Sequence, residues 1–105
     1  MNILVQSVKE TYERALAICE LKNSDYAEDA DPFKNFKAAE LVGLKPEQAL
    51  LLQMTNKLSR IGNLLGGKEA KHEAIEDTLV DLINYSAILK AYIEHGKKED
   101  IVDSS

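Results

Sequence analysis

One cysteine, two prolines, five glycines and no tryptophan in 105 residues leave little to staple, kink or interrupt this chain. A single thiol cannot close an intramolecular disulfide, which fits a reducing compartment. Cys19 falls in line with Val5, Val8, Tyr12 and Ala15 at helical spacing, and no histidine lies near it. It therefore reads as core packing and not as a catalytic thiol. Basic residues are also in the minority: 13 Lys and Arg against 18 Asp and Glu give a net charge of −5. That balance argues against non-specific binding to nucleic acid or to an anionic membrane. No apolar run approaches the ~20 residues of a membrane span. No charged-then-apolar leader opens the chain, so a cytoplasmic location is expected. Strand alternation, internal repeats, low-complexity tracts and the GxxxxGK[ST] phosphate loop are all missing.

What is present is an ordinary globular balance, 45% hydrophobic and 30% charged residues, in a chain of single-domain length. The first helix is expected from about Asn2, as cap, to Leu21. One of its faces carries Val5, Val8, Tyr12, Ala15, Leu16 and Cys19. Its Glu10-Thr-Tyr-Glu13 has ExxE spacing but points away from that face, toward solvent. Residues 22–32 read as an acidic, polar loop. Asp31 before Pro32 then starts a short helix over about 32–42 that Gly43 ends. Pro46 opens a third helix with Leu50, Leu51, Met54, Leu58, Ile61 and Leu65 as its apolar stripe. Gly66-Gly67 should close it with a left-handed cap. A fourth helix over about 68–95 ends at Gly96, and residues 97–105 read as a flexible tail. The expected architecture is all-α, one domain over 1–96: a small bundle of three long helices and one short one, completed by oligomerisation.

The fourth helix holds the candidate site. At about 100° per residue, Glu73, Asp77, Asp81 and Asn84 fall within about 80° of one another, with Glu76 at the border. Val80, Ala87, Ile88 and Ala91 share that side, so the acids face an interior or a partner. Unpaired carboxylates there would cost several kcal/mol each, so something must compensate them. Asp77 and Asp81, or Glu73 and Asp77, sit about 6 Å apart along the axis and can share a hard cation such as Mg²⁺ or Mn²⁺. On the third helix, Lys57 and Arg60 flank the apolar stripe. They serve a polyphosphate in one reading and simply pair with the acids in the other. His72 is an exposed neighbour of Glu73. His95, in the last helical turn, suits the helix dipole.

Three blocks in order carry a family resemblance: Asp-Tyr-Ala…Asp-Pro-Phe-Lys-Asn-Phe, Met-Thr-Asn-Lys-Leu-Ser-Arg-Ile-Gly-Asn-Leu-Leu, and Glu-Ala-Ile-Glu-Asp-Thr-Leu-Val-Asp-Leu-Ile-Asn-Tyr-Ser. Over roughly residues 21–93 the chain resembles the nucleotide-modification-associated domain of phage and prophage proteins. That domain is in turn similar to the MazG-type all-α nucleoside triphosphate pyrophosphatases. The resemblance implies a homo-oligomer that binds a nucleotide and, with Mg²⁺ or Mn²⁺, cleaves it to monophosphate and pyrophosphate. It marks Glu73, Glu76, Asp77 and Asp81 as metal-side acids, with Glu73 and Asp77 catalytic. Lys57 and Arg60 become phosphate-side cations, and Asn84, Tyr85, Asp25 and Tyr26 line the pocket. The chain departs from the family's pattern at Asn56, usually Asp, and at Ala27, usually Gly. The second acidic pair of the MazG-type enzymes has a counterpart only in Glu10 and Glu13. Those departures leave open a protein that binds or sequesters a nucleotide, or a nucleotide-derived defence signal, without cleaving it.

Overall fold

Asn2 does cap the first helix: its Oδ1 accepts a hydrogen bond from the Val5 N–H at 2.8 Å, satisfying one of the free donors of a helix start. From there α1 runs Ile3–Asp25. It continues through Lys22–Asp25, expected as loop, because that polar stretch contains neither proline nor glycine and nothing in its backbone obliges the helix to stop. The computed structural model describes residues 2–25, 33–67 and 72–96, without the side chains of residues 24, 25, 35, 72 and 73. The Asp31–Pro32 start, Tyr26 and the 97–105 tail lie outside these. Among the described residues every element is helical.

The next described element, α2, is a single turn, Lys34–Lys37, continued by a 3₁₀ helix over Ala38–Val42. Gly43 ends it at φ 80°, a left-handed conformation that glycine adopts at no steric cost. This lets the Leu44 N–H reach back to the Ala39 carbonyl at 3.1 Å. α3 spans Pro46–Leu65. Its start is secured by Pro46 and by the Lys45 backbone N–H, which donates to Gln48 Oε1 at 2.9 Å. Its end differs from expectation: Gly66 sits at φ −81°, in the right-handed region. The terminal carbonyls are met by an ordinary turn, Gly66 N–H to Gly62 O at 3.1 Å, with no left-handed cap.

α4 spans His72–Ala91, and a π-helical turn carries it on through Tyr92–Gly96. It packs on α3 and on α1. The register with α3 is antiparallel, since Lys57 meets Asp81 while Arg60 meets Thr78: three residues forward on one helix match three back on the other. The buried centre draws on each long helix: Ala15 from α1, Leu50 from α3, Thr78 and Val80 from α4, and Tyr92 from the π turn. Tyr92 also meets Phe33 edge to face at 5.5 Å, tying the entry to α2 against the end of the last helix.

Much apolar surface stays uncovered. On α3, Leu51, Leu58 and Leu65 are exposed although they continue the stripe of buried Leu50. On α1, Ala15 is buried while Leu4, Val5, Val8, Tyr12 and Leu16 on the same face are open. Cys19 is half-buried. No helix of the described residues is long and apolar enough to cross a membrane.

Candidate functional site

α4 lies between two helices, and each supplies cations to its acids. From α1, Arg14 places Nη1 2.7 Å from Glu76 Oε1 and Nη2 2.5 Å from Asp77 Oδ1. From α3, Lys57 Nζ lies 3.0 Å from Asp81 Oδ2. The two carboxylates at 76 and 77 thus turn toward α1, and the one at 81 turns toward α3. Glu73 stands in the first turn of α4, with its side chain outside the described set.

Arg14 was not singled out from the sequence. The available signal was its place directly before Ala15, on a helix whose apolar face needed something to dock against. The hydrogen bond it donates to Asp77, helped by the charges of Glu76 and Asp77, holds its guanidinium above the ordinary arginine value. A raised folded-state value means the pairing contributes fully below the unfolded value and is lost only as pH rises through the folded one. For an arginine that window is strongly alkaline, so the clamp on Glu76 and Asp77 does not loosen by losing its cation near neutrality.

Lys57 and Asp81 are the better shielded pair, with side chains 25% and 31% exposed. Asp81→Asn should leave a part-buried ammonium without its countercharge and lower unfolding stability by about 1–2 kcal/mol. Adding Lys57→Met to that variant should recover most of the loss in urea denaturation. If the double variant is no more stable than Asp81→Asn alone, the pair is not what the single change disturbs.

Arg60 is handled differently. Its Nε donates to Thr78 Oγ1 at 3.2 Å, and the Thr78 hydroxyl donates in turn to the Ala74 carbonyl at 2.6 Å. Thr78 is buried, so a neutral, immobile acceptor orients the guanidinium without neutralising it. Among the described residues Arg60 has no carboxylate partner. It opens onto a cleft of about 580 Å³ lined by Asn56, Ser59, Arg60, Asn63 and Leu64 of α3 and by Ala74 of α4. One full cation, two amides, a hydroxyl and two apolar walls are a combination suited to an anion attached to a polar ring.

Of the other pocket candidates, Asn84 gives its Nδ2 hydrogen to the Ala15 carbonyl at 3.0 Å. It thereby fastens α4 to α1, away from the Arg60 cleft. Tyr85 is half-buried on α4, Asp25 ends α1 with its side chain outside the described set, and Tyr26 lies outside it altogether. Glu10 and Glu13 are exposed; Gln6 donates to Glu10 at 3.2 Å, and Lys9 lies 3.9 Å from Glu13.

A divalent ion would need several carboxylate oxygens converging on one point, with the remaining positions filled by water. Among the described residues no group of three or more His, Cys, Asp or Glu converges in this way. Glu76, Asp77 and Asp81 each already hold a protein cation. The described residues therefore do not by themselves compose a Mg²⁺ or Mn²⁺ centre. Scans of the chain against family models, curated proteins and solved structures returned no match.

Proposed function

We propose that this chain is a MazG-like nucleotide-binding protein that works as a homo-oligomer and seats the phosphate end of its ligand on Arg60. The observation that carries this is a guanidinium oriented by buried Thr78, unpaired with any described carboxylate, at the edge of a nucleotide-sized cleft. In a chain of net charge −5, an anion needs such a local centre. The terminal nitrogens of Arg60 would make charge-assisted hydrogen bonds to phosphate oxygens. Asn56, Ser59 and Asn63 offer neutral donors and acceptors to a sugar or base, and Leu64 and Ala74 offer an apolar wall. Asn56 stands where the resembled family usually has Asp; the amide removes a negative charge that would repel phosphate.

Binding without cleavage is the favoured form of this proposal, because three of the four metal-side acids, Glu76, Asp77 and Asp81, are committed to Arg14 and Lys57. Hydrolysis to monophosphate and pyrophosphate would have to draw on Glu73 and on acids from a second copy.

The homo-oligomer is supported by the α1 face. Leu4, Val5, Val8, Tyr12 and Leu16 form one stripe that runs on from buried Ala15, and Leu4 is 69% and Tyr12 60% exposed. A stable interface takes roughly 800 Å² from each partner, and the exposed α1 side chains are apolar surface it can draw on. A second copy is the natural occupant, since the same stripe meeting itself buries both at once.

Titrating nucleoside triphosphates into the protein by calorimetry tests the site. Saturable binding is expected, and Arg60→Gln should weaken it by about 10- to 100-fold, the worth of a charged hydrogen-bonding group. Unaltered affinity in a folded Arg60→Gln variant would remove the phosphate end from this cleft.

A further inference from the structure

We propose that Arg14 and Lys57 are resident counter-ions, occupying the positions on α4 that a divalent cation would take. The described acids of the row, Glu76, Asp77 and Asp81, are thereby each matched by a protein cation. The geometry of the Arg14 contact carries this. Glu76 and Asp77 are consecutive, so their side chains leave the helix about 100° apart. Arg14 bridges them with two different nitrogens, one oxygen to each, at 2.7 and 2.5 Å. A broad, flat guanidinium spans such diverging oxygens, whereas one small ion must draw both toward a single centre. Asp81, one turn on from Asp77, is taken up by Lys57 from the opposite side. The two cations thus arrive from two helices and draw Asp81 away from Glu76 and Asp77.

This has a structural consequence as well. Arg14 and the Asn84 amide link α1 to α4 through polar contacts, at Glu76–Asp77 and at the Ala15 carbonyl. A metal able to displace Arg14 would have to undo one of them. The resident cations therefore hold the helix pair together where a metal would compete with it.

The test uses Mn²⁺ alone and so does not depend on the nucleotide assignment. Electron paramagnetic resonance of the full chain titrated with Mn²⁺, with melting midpoints in EDTA and in excess Mn²⁺, gives the wild-type answer. We expect no ion bound below about millimolar concentration and a midpoint unchanged by chelator. Arg14→Gln, which frees Glu76 and Asp77, should bind Mn²⁺ at least tenfold more tightly than wild type, and Arg14→Lys, whose compact ammonium cannot span both oxygens, should fall between the two. Micromolar Mn²⁺ binding by wild type, or no gain in a folded Arg14→Gln, overturns the proposal. Should Arg14→Gln fail to fold, the wild-type titration decides by itself.

Discussion

Val8→Asp combined with Tyr12→Asp should break the assembly into single chains and leave those chains poorly folded. Both residues lie on the α1 stripe whose next inward position, Ala15, is buried against α4. In the proposed oligomer the stripe is covered by its counterpart from a second copy. Two carboxylates introduced there would meet two more across a symmetric contact. Each would be stripped of water without a partner, at a cost of several kcal/mol. Losing the partner also returns the apolar side chains of α1 to water, at about 25 cal/mol per Å². Since a small domain commands only about 5–15 kcal/mol in total, most of its stability should go. Sedimentation equilibrium should give the wild type at least twice the 11.7 kDa chain mass and the variant the single-chain mass. A wild type sedimenting at one chain mass over a wide concentration range would remove the oligomer.

Gly96→Ala is expected to be the most damaging single methyl addition at a described glycine. A Cβ at Gly96 would fall 2.2 Å from Cδ2 and 2.6 Å from Cε2 of the Tyr92 ring. Tyr92 is buried and leans edge-on against Phe33, so its ring cannot swing aside without vacating the contact with the start of α2. The π turn over Tyr92–Gly96 folds the glycine under the ring and creates this approach. Overpacking of this kind costs about 1–3 kcal/mol, and a rigid aromatic against backbone puts this case at the upper end, about 3 kcal/mol. By contrast, a Cβ at Gly62 meets nothing within 4 Å. Gly62→Ala, in the last turn of α3, should therefore be neutral or slightly stabilising. Comparable denaturation midpoints for the two variants would contradict the role assigned to the Tyr92–Gly96 contact.

The helices were legible because their signals are local. Asn2 as a cap, Pro46 at a helix start, and Gly43 as a stop each depend on one residue's own backbone chemistry, and each stands where expected. The extension of α1 through Asp25 was less legible, since a polar composition only weakly opposes a helix already under way. So was the right-handed exit at Gly66, because glycine permits a left-handed cap without requiring one. The acidic row on α4 was visible from spacing, but which cation each acid would meet was not. Arg14 and Asp77 are 63 positions apart, and only the packing of α1 on α4 brings them together. Lys57 and Arg60 looked alike in sequence and diverge in the fold. Three residues along α3, most of a helical turn, decide whether a side chain meets Asp81 or Thr78. Asn84, grouped with the acids by angle, instead reaches the backbone of α1.

The central claim is that the Arg60 cleft holds a nucleotide while Glu76, Asp77 and Asp81 of α4 are already matched by cations of the same chain. Its most direct test is a calorimetric titration with nucleoside triphosphate in EDTA and again in excess Mg²⁺, with the ligand identified by mass spectrometry afterwards. Saturable binding of similar affinity in both buffers, with intact triphosphate recovered, is the predicted result. Binding that requires Mg²⁺ and returns monophosphate and pyrophosphate would contradict it.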